Sequence, residues 1–346
     1  MSNKHLIGII SLVVIAVLAG GAWYWENSRF KEIQERRQQE QRQVVPSEEN
    51  GNEKTSESGS SIITTTTAEA RGYSIELTIT SMQSEDEYQG KKVQYEWIAS
   101  SSLRIYKDNK IVYRLDDTKF WVSSPPDEPI TEESLLLETA QEFLTDAMKD
   151  FTKDNIPELG FIGFSGGAHC CGAPHIISLG QNFNLLLDDV TRFDGRTDFV
   201  DLDQDGVIEA KINSITPFDY WHTGYANSPA TDVILSFNSE RGKYMVNTAL
   251  MRISPPSEAE IKAQASGWTA EGWEGKRATA PWRYALALVF SGNAESARKY
   301  IDLAWRDNSE FKSKEAFLDE FTAQIEESQF YPELASFLSL ESLSAR

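Results

Sequence analysis

Tyr73, Ile75, Leu77 and Ile79 alternate with Ser74, Glu76 and Thr78, the period-two pattern of a strand with one buried face. Residues 93–99, 103–107 and 110–115 read as further strands, the last two joined by a tight turn at Asp108-Asn109. From residue 134 to 151 the spacing becomes helical, with Leu136, Ala140, Phe143, Leu144 and Met148 on one face, and Asp154 and Pro157 placed to stop that helix. Strands resume at 161–164 and 175–179, another segment starts at Asn184, and a hairpin joins 233–237 to 244–246 across Glu240-Arg241-Gly242. After Pro255 the pattern is helical, with helices expected over 258–265, 282–290, 294–306 and 314–327 and with Asn293 and Ser313 as N-caps. The last two helices are expected to pack as an antiparallel pair. The fold class is therefore α+β: an antiparallel β-rich domain over residues 70–255 with one helix, and a helical region over 256–346 packed on it.

The first 69 residues read differently. Residues 6–25 are apolar and uncharged, and about twenty helical residues span roughly 30 Å, the thickness of a hydrocarbon core. Trp23, Tyr24 and Trp25 close the run with rings suited to the interface. A transmembrane helix over 1–25 is expected, the alternative being a signal peptide cut after small residues such as Gly20 and Ala22. Residues 26–43 are rich in Glu, Gln and Arg, with Glu32 and Arg36 at i, i+4, and continue the helix as a stalk. Residues 44–69, including the run Thr64 to Thr67, carry too little apolar surface to offset ordering entropy and read as a flexible tether.

Composition narrows the partners. A net charge of −20 disfavours nucleic acid and anionic lipid surfaces, both of which require a basic face. Arg29, Lys31, Arg36 and Arg37 outnumber Lys4 across the apolar run, so the positive-inside count opposes export, although long domains translocate largely regardless of charge.

The chemistry concentrates in two loops. In the first, Asp201, Asp203 and Asp205 alternate, Gly206 follows, and Glu209 comes four residues after the last aspartate. An EF-hand would place a bidentate Glu at position twelve, where this chain has Ile212, so that reading fails. Phe199 and Val200 before the loop and Val207, Ile208, Ala210 and Ile212 after it are strand-like, which makes the site a β-loop-β hairpin. The loop resembles the calcium loops of integrin-type FG-GAP and VCBS β-repeat families. That resemblance implies calcium held by Asp201, Asp203, Asp205, the Val207 carbonyl and Glu209. Those families carry the motif once per blade, whereas here it is expected once, so a propeller is not expected. The alternative is an acidic Asp-Gly turn without metal; four crowded carboxylates favour the cation, which removes their mutual repulsion. Calcium also favours the exported side of a membrane.

The second loop runs Ser165-Gly166-Gly167-Ala168-His169-Cys170-Cys171-Gly172-Ala173-Pro174 and holds both cysteines of the chain. Cys170 and Cys171 admit a vicinal disulfide, strained because adjacent Cα atoms lie only about 3.8 Å apart. They also admit two buried thiols, or a metal or thiol-catalytic site with His169, His175 or His222. The aromatic run from Phe218 to Tyr225 reads as core with polar tips, the alternative being a stacking surface for sugar or peptide. The Gly-Gly-Ala-His-Cys-Cys loop, the single acidic loop and the helical tail together resemble a group of uncharacterised bacterial envelope proteins. That implies export and a shared fold, and no known activity. The expected protein is a single-pass inner-membrane protein with its bulk in the periplasm, or a soluble periplasmic one after cleavage. It would be anchored by its N-terminal helix and serve as a calcium-binding interaction module for an envelope protein or glycan, with no catalytic residue assigned. The alternative is an envelope hydrolase or thiol-dependent enzyme built on His169, Cys170 and Cys171.

Overall fold

The structure, a computed structural model, describes residues 60–88, 91–116, 119–121, 140–164, 172–187, 195–214, 217–224, 227–274 and 280–344. These residues belong to the unit Ser58–Arg346. The expected anchor, the stalk, and the residues His169, Cys170 and Cys171 lie outside the described residues. Among the described residues no helix is long and apolar enough to cross a membrane.

The fold is α+β, with three antiparallel sheets followed by helices. The first sheet is a meander of β1 (Ser60–Ala70), β2 (Tyr73–Tyr88), β3 (Lys91–Lys107) and β4 (Lys110–Leu115). Two of its turns use left-handed backbone, Arg71 and Gly72 at φ 53° and 79° and Asp108 and Asn109 at 50° and 59°, a conformation that glycine, aspartate and asparagine adopt at low cost. Tyr73, Ile75, Leu77 and Ile79 are buried, as the alternation predicts, and meet Leu103 and Ile105 of β3.

Two expectations in this region are corrected. The threonine run does not belong to a tether: Thr64 to Thr67 lie within β1, paired in register with Ile79, Thr78, Leu77 and Glu76 of β2. Composition misled because β-branched threonines suit a pleated surface and an edge strand is held by its ladder more than by burial. The helix expected over 134–151 is described over α1 (Ala140–Ala147) and ends there, because Met148 and Lys149 form the short strand β6 (Met148–Lys149). The α1 amide of Ala140 donates to the Thr66 hydroxyl at 2.7 Å, and Phe143, Leu144 and Ala147 pack under the first sheet.

In the second sheet, β5 (Lys119–Trp121) and β6 both pair with β7 (Glu158–Phe164), which continues to β8 (Gly172–Leu179) and β9 (Phe183–Leu187). The third sheet is the meander β10 (Gly195–Val200), β11 (Glu209–Ser214), β12 (Thr231–Asn238) and β13 (Lys243–Val246). Beyond it come α2 (Thr248–Met251), α3 (Glu258–Ala265), α4 (Ala270–Trp273), α5 (Pro281–Phe290), α6 (Ala294–Ala304), α7 (Lys314–Glu326), α8 (Tyr331–Leu338) and α9 (Glu341–Ser344).

Ser257 and Glu260 form a capping box at α3, and the Ser313 hydroxyl caps α7 through Ala316. Asn293 precedes α6 without a side-chain cap; its amide donates instead to the Ile253 and Ser291 carbonyls. α6 packs chiefly on α5 and α3, and it meets the start of α7 through the Lys314–Asp302 ion pair at 2.8 Å. One hydrophobic core joins these helices to the third sheet and includes the buried Trp273, Trp282, Tyr300, Phe317 and Phe321.

Candidate metal centre

The acidic loop sits where its sequence predicts, between β10 and β11, whose register sets Val200 opposite Glu209 and Phe199 opposite Ala210. The turn requires left-handed backbone at two residues, Gln204 at φ 65° and Gly206 at φ 93°, the second being a conformation that glycine adopts at least cost. Main-chain amides then fold onto the carboxylates. Gly206 donates to Asp201 Oδ2 at 3.0 Å, Asp205 to Asp203 Oδ1 at 3.2 Å, and Val207 to Asp205 Oδ1 at 2.7 Å.

Three of the expected ligands converge: carboxylate oxygens of Asp201, Asp203 and Glu209 all lie within 4.8 Å of one another. Glu209, the first residue of β11, is only 2% exposed and is held from two sides, by the Leu202 amide at 2.9 Å and the Ser236 hydroxyl at 3.2 Å. Burial pushes its carboxyl above the ordinary range; those two hydrogen bonds oppose the shift, and the Asp203 and Asp205 carboxylates add to it. Asp201 Oδ1 is buried and has no hydrogen-bond partner among the described residues. The Asp205 carboxylate turns instead to the Val207 amide, outside the converging trio.

An orphaned buried oxygen beside two further carboxylates, all hard oxygen donors, fits a divalent cation of the magnesium or calcium kind. Without one, the three carboxylates repel one another in a partly desolvated turn.

The structure also contains a second copy of this loop, which the sequence reading missed. In residues 150–158, Asp150 corresponds to Asp201, Asp154 to Asp205, Asn155 to Gly206 and Glu158 to Glu209. The backbone repeats as well, with Lys153 at φ 61° and Asn155 at φ 63° matching Gln204 and Gly206. So do the hydrogen bonds. Asn155 N donates to Asp150 Oδ2 at 2.9 Å, Ile156 N to Asp154 Oδ1 at 2.7 Å, and Phe151 N to Glu158 Oε2 at 2.9 Å. The flanking strands agree, since Lys149 opposite Glu158 in β6 and β7 repeats Val200 opposite Glu209.

What differs is the third position. Thr152 stands where the first loop has Asp203, and its hydroxyl oxygen is buried without a partner among the described residues. Glu158 is 1% exposed, and its carboxyl is pushed up to about 7 by burial, against the Phe151 amide and with the Asp154 and Asp150 charges adding to the shift. The signal available in the sequence was Asp-x-x-x-Asp-Asn-x-x-Glu, which lacks the middle aspartate and the glycine that made the first loop visible.

The two loops touch. Ile208 N donates to the Phe151 carbonyl at 3.0 Å, and the Phe151 and Phe199 rings meet edge to face at 5.3 Å. Lys153 crosses from the second loop to the first, its ammonium donating to the Asp205 carbonyl. Its aliphatic stem lies over Gly206, where an added Cβ would meet Lys153 Cδ and Cε at 3.0 Å.

Of the described residues, neither His175 nor His222 is gathered with these carboxylates. His175 is 6% exposed, stacks on Phe161 at 4.9 Å and sits 3.2 Å from the Tyr113 hydroxyl, its pKa lowered to about 4 by burial. His222 ring nitrogens lie 2.6 Å from Glu310 and 3.2 Å from Glu320, joining the loop after β11 to the helical region. Phe218 is fully buried and Trp221 packs against Trp282 at 5.6 Å, so these two belong to the core, while Tyr220 is exposed.

A cleft of about 410 Å³ lies between the third sheet and helices α2 and α5. Ile234, Met251 and Phe290 form its apolar floor, and the Lys211–Asp232 ion pair, 3.0 Å long, stands at its side. Leu202 of the acidic loop also lines it, so cleft and cation site share a residue. No known family, curated protein or solved structure matches the chain.

Proposed function

We propose that this chain is a calcium-binding module of the bacterial envelope, in which one cation clasps the β10–β11 hairpin and the folded unit serves as a binding rather than a catalytic element. The observation that carries the reading is the convergence of Asp201, Asp203 and Glu209 within 4.8 Å around a buried, unpartnered Asp201 oxygen. In the bound state Asp205 and the Val207 carbonyl would complete the oxygen shell. Calcium is preferred to magnesium because a turn built from several carboxylates suits a larger ion with flexible coordination, whereas magnesium keeps its waters and demands octahedral geometry.

By analogy with extracellular modules, affinity would be on the order of 10⁻⁴ to 10⁻³ M, which suits a site filled only outside the cytoplasm. The apolar run at residues 6–25 supports a membrane tether, and the calcium site itself favours the exported side for the folded unit. The cleft that shares Leu202 with the loop supports a binding role, since ordering the loop would fix one of its walls.

Thermal unfolding of the full chain with calcium and with chelator tests the cation site. Wild type should melt several degrees higher in millimolar calcium, and Asp203→Ala should melt at the same temperature in both. An unchanged wild-type melting temperature across that range would refute the site.

A further inference from the structure

The second loop has kept the backbone, the capping hydrogen bonds and three of the acidic positions of the first, but Thr152 has replaced the central carboxylate. What it contributes in exchange is a positive charge. Lys153 occupies the position of Gln204, and because the two hairpins are joined through Ile208 N and the Phe151 carbonyl, its side chain is aimed at its sister loop. Both ends of that side chain are fixed. The left-handed backbone at φ 61° sets its departure, and the Asp205 carbonyl receives its ammonium, with Gly206 leaving room for the stem between them.

We propose that Lys153 is the affinity-setting residue of the Asp201–Glu209 cation site, a tethered ammonium that repels an incoming dication and keeps the site empty until the cation is abundant. The inference rests on the cation reading given above and adds its regulation. Three consequences separate it from a purely structural role for the same contact. Removing the charge should tighten cation binding, whereas removing a structural strut loosens the loop and weakens it. The effect should follow charge and not shape, so arginine should preserve it. And because Lys153 is exposed, the effect should be screened by salt.

The contact lies outside the loop's own ligand set, so the lysine acts through space. A unit charge roughly 6–12 Å from a divalent ion in a water-like dielectric changes affinity by roughly three- to tenfold.

The experiment is calorimetric titration of the full-length chain in detergent with calcium chloride, at low and at high sodium chloride, for wild type, Lys153→Met and Lys153→Arg. Melting temperatures in chelator confirm that each variant is folded. Lys153→Met is expected to bind calcium roughly three- to tenfold more tightly at low salt, with the gap closing at high salt, and Lys153→Arg to match wild type. Wild-type binding with an equal or weaker Kd for Lys153→Met overturns the role of Lys153 alone. No calcium heat for any of the three proteins overturns the cation site and this proposal together.

Discussion

Ile208 and Phe151 join the two acidic hairpins directly, the Ile208 amide donating to the Phe151 carbonyl at 3.0 Å. The Tyr244 hydroxyl closes the same junction, 2.8 Å from the Ile208 carbonyl and 3.3 Å from that of Phe151. Two main-chain carbonyls from the two acidic loops therefore converge on one buried hydroxyl, whose ionisation burial pushes well above the ordinary range. Tyr244→Phe keeps the ring and leaves the Ile208 carbonyl without its donor. A loss of about 1–3 kcal/mol in urea unfolding is expected, together with weaker calcium binding. An unfolding midpoint equal to wild type would show that the hydroxyl does not brace the junction.

Gly206 is where both loops constrain one residue. Its φ of 93° disfavours any side chain, and a Cβ there would press on Lys153 Cδ and Cε at 3.0 Å. Gly206→Ala should cost about 1–3 kcal/mol from the backbone alone. Combining it with Lys153→Ala separates the two causes, because the double variant should recover only the part due to crowding. Full recovery would mean that the backbone conformation carries no strain.

Two buried groups oppose each other in their response to pH. Glu158, with its folded pKa raised from 4.5 to about 7, holds its proton longer in the folded chain, so its contribution to stability falls as pH rises across that interval. His175, lowered from 6.5 to about 4, binds its proton more readily in the unfolded chain, so its contribution rises as pH rises from about 4 to 6.5. Each effect is on the order of 3 kcal/mol when fully developed. Relative to wild type, Glu158→Gln should gain stability as pH rises from 4.5 to about 7, and His175→Phe should lose stability as pH rises from 4 to 6.5. Urea midpoints at four pH values in that range decide the matter, and parallel profiles for all three proteins would contradict both assignments.

The acidic loop was legible because its carboxylates are local: Asp201, Asp203, Asp205 and Glu209 fall in one turn, with spacing that survives any tertiary context. The first meander was legible from Tyr73 to Ile79 for the same reason, its burial alternating with sequence. The second loop was hidden because its identity is carried by backbone, φ above zero at Lys153 and Asn155 and amides folded onto Asp150, and only weakly by side-chain type. Likewise the end of α1 at Ala147 depends on Met148 and Lys149 finding β7, a pairing at a distance that helical periodicity cannot register. Gly160 belongs to the same class. It looks like a loose position in a strand, yet an added Cβ would lie 2.0 Å from the Phe151 ring, so it is the gap that admits the anchor of the second loop.

The second loop also provides the sharpest test of the duplication. Thr152 stands at the position of Asp203, with a buried hydroxyl that has no partner among the described residues, while Asp150, Asp154 and Glu158 occupy the other acidic places. Thr152→Asp supplies the missing carboxylate, and combining it with Lys153→Gln removes the nearby cation. In chelator the double variant should be less stable than wild type by about 1–2 kcal/mol, because a fourth carboxylate joins three others. Calcium should reverse that loss, and titration should show two calcium ions per chain where wild type takes one. A loop that merely resembles the first by chance would give the destabilisation without the second ion, since its carboxylate oxygens would not converge once the aspartate was present. The stoichiometry, more than the affinity, separates a lapsed binding loop from an ordinary turn.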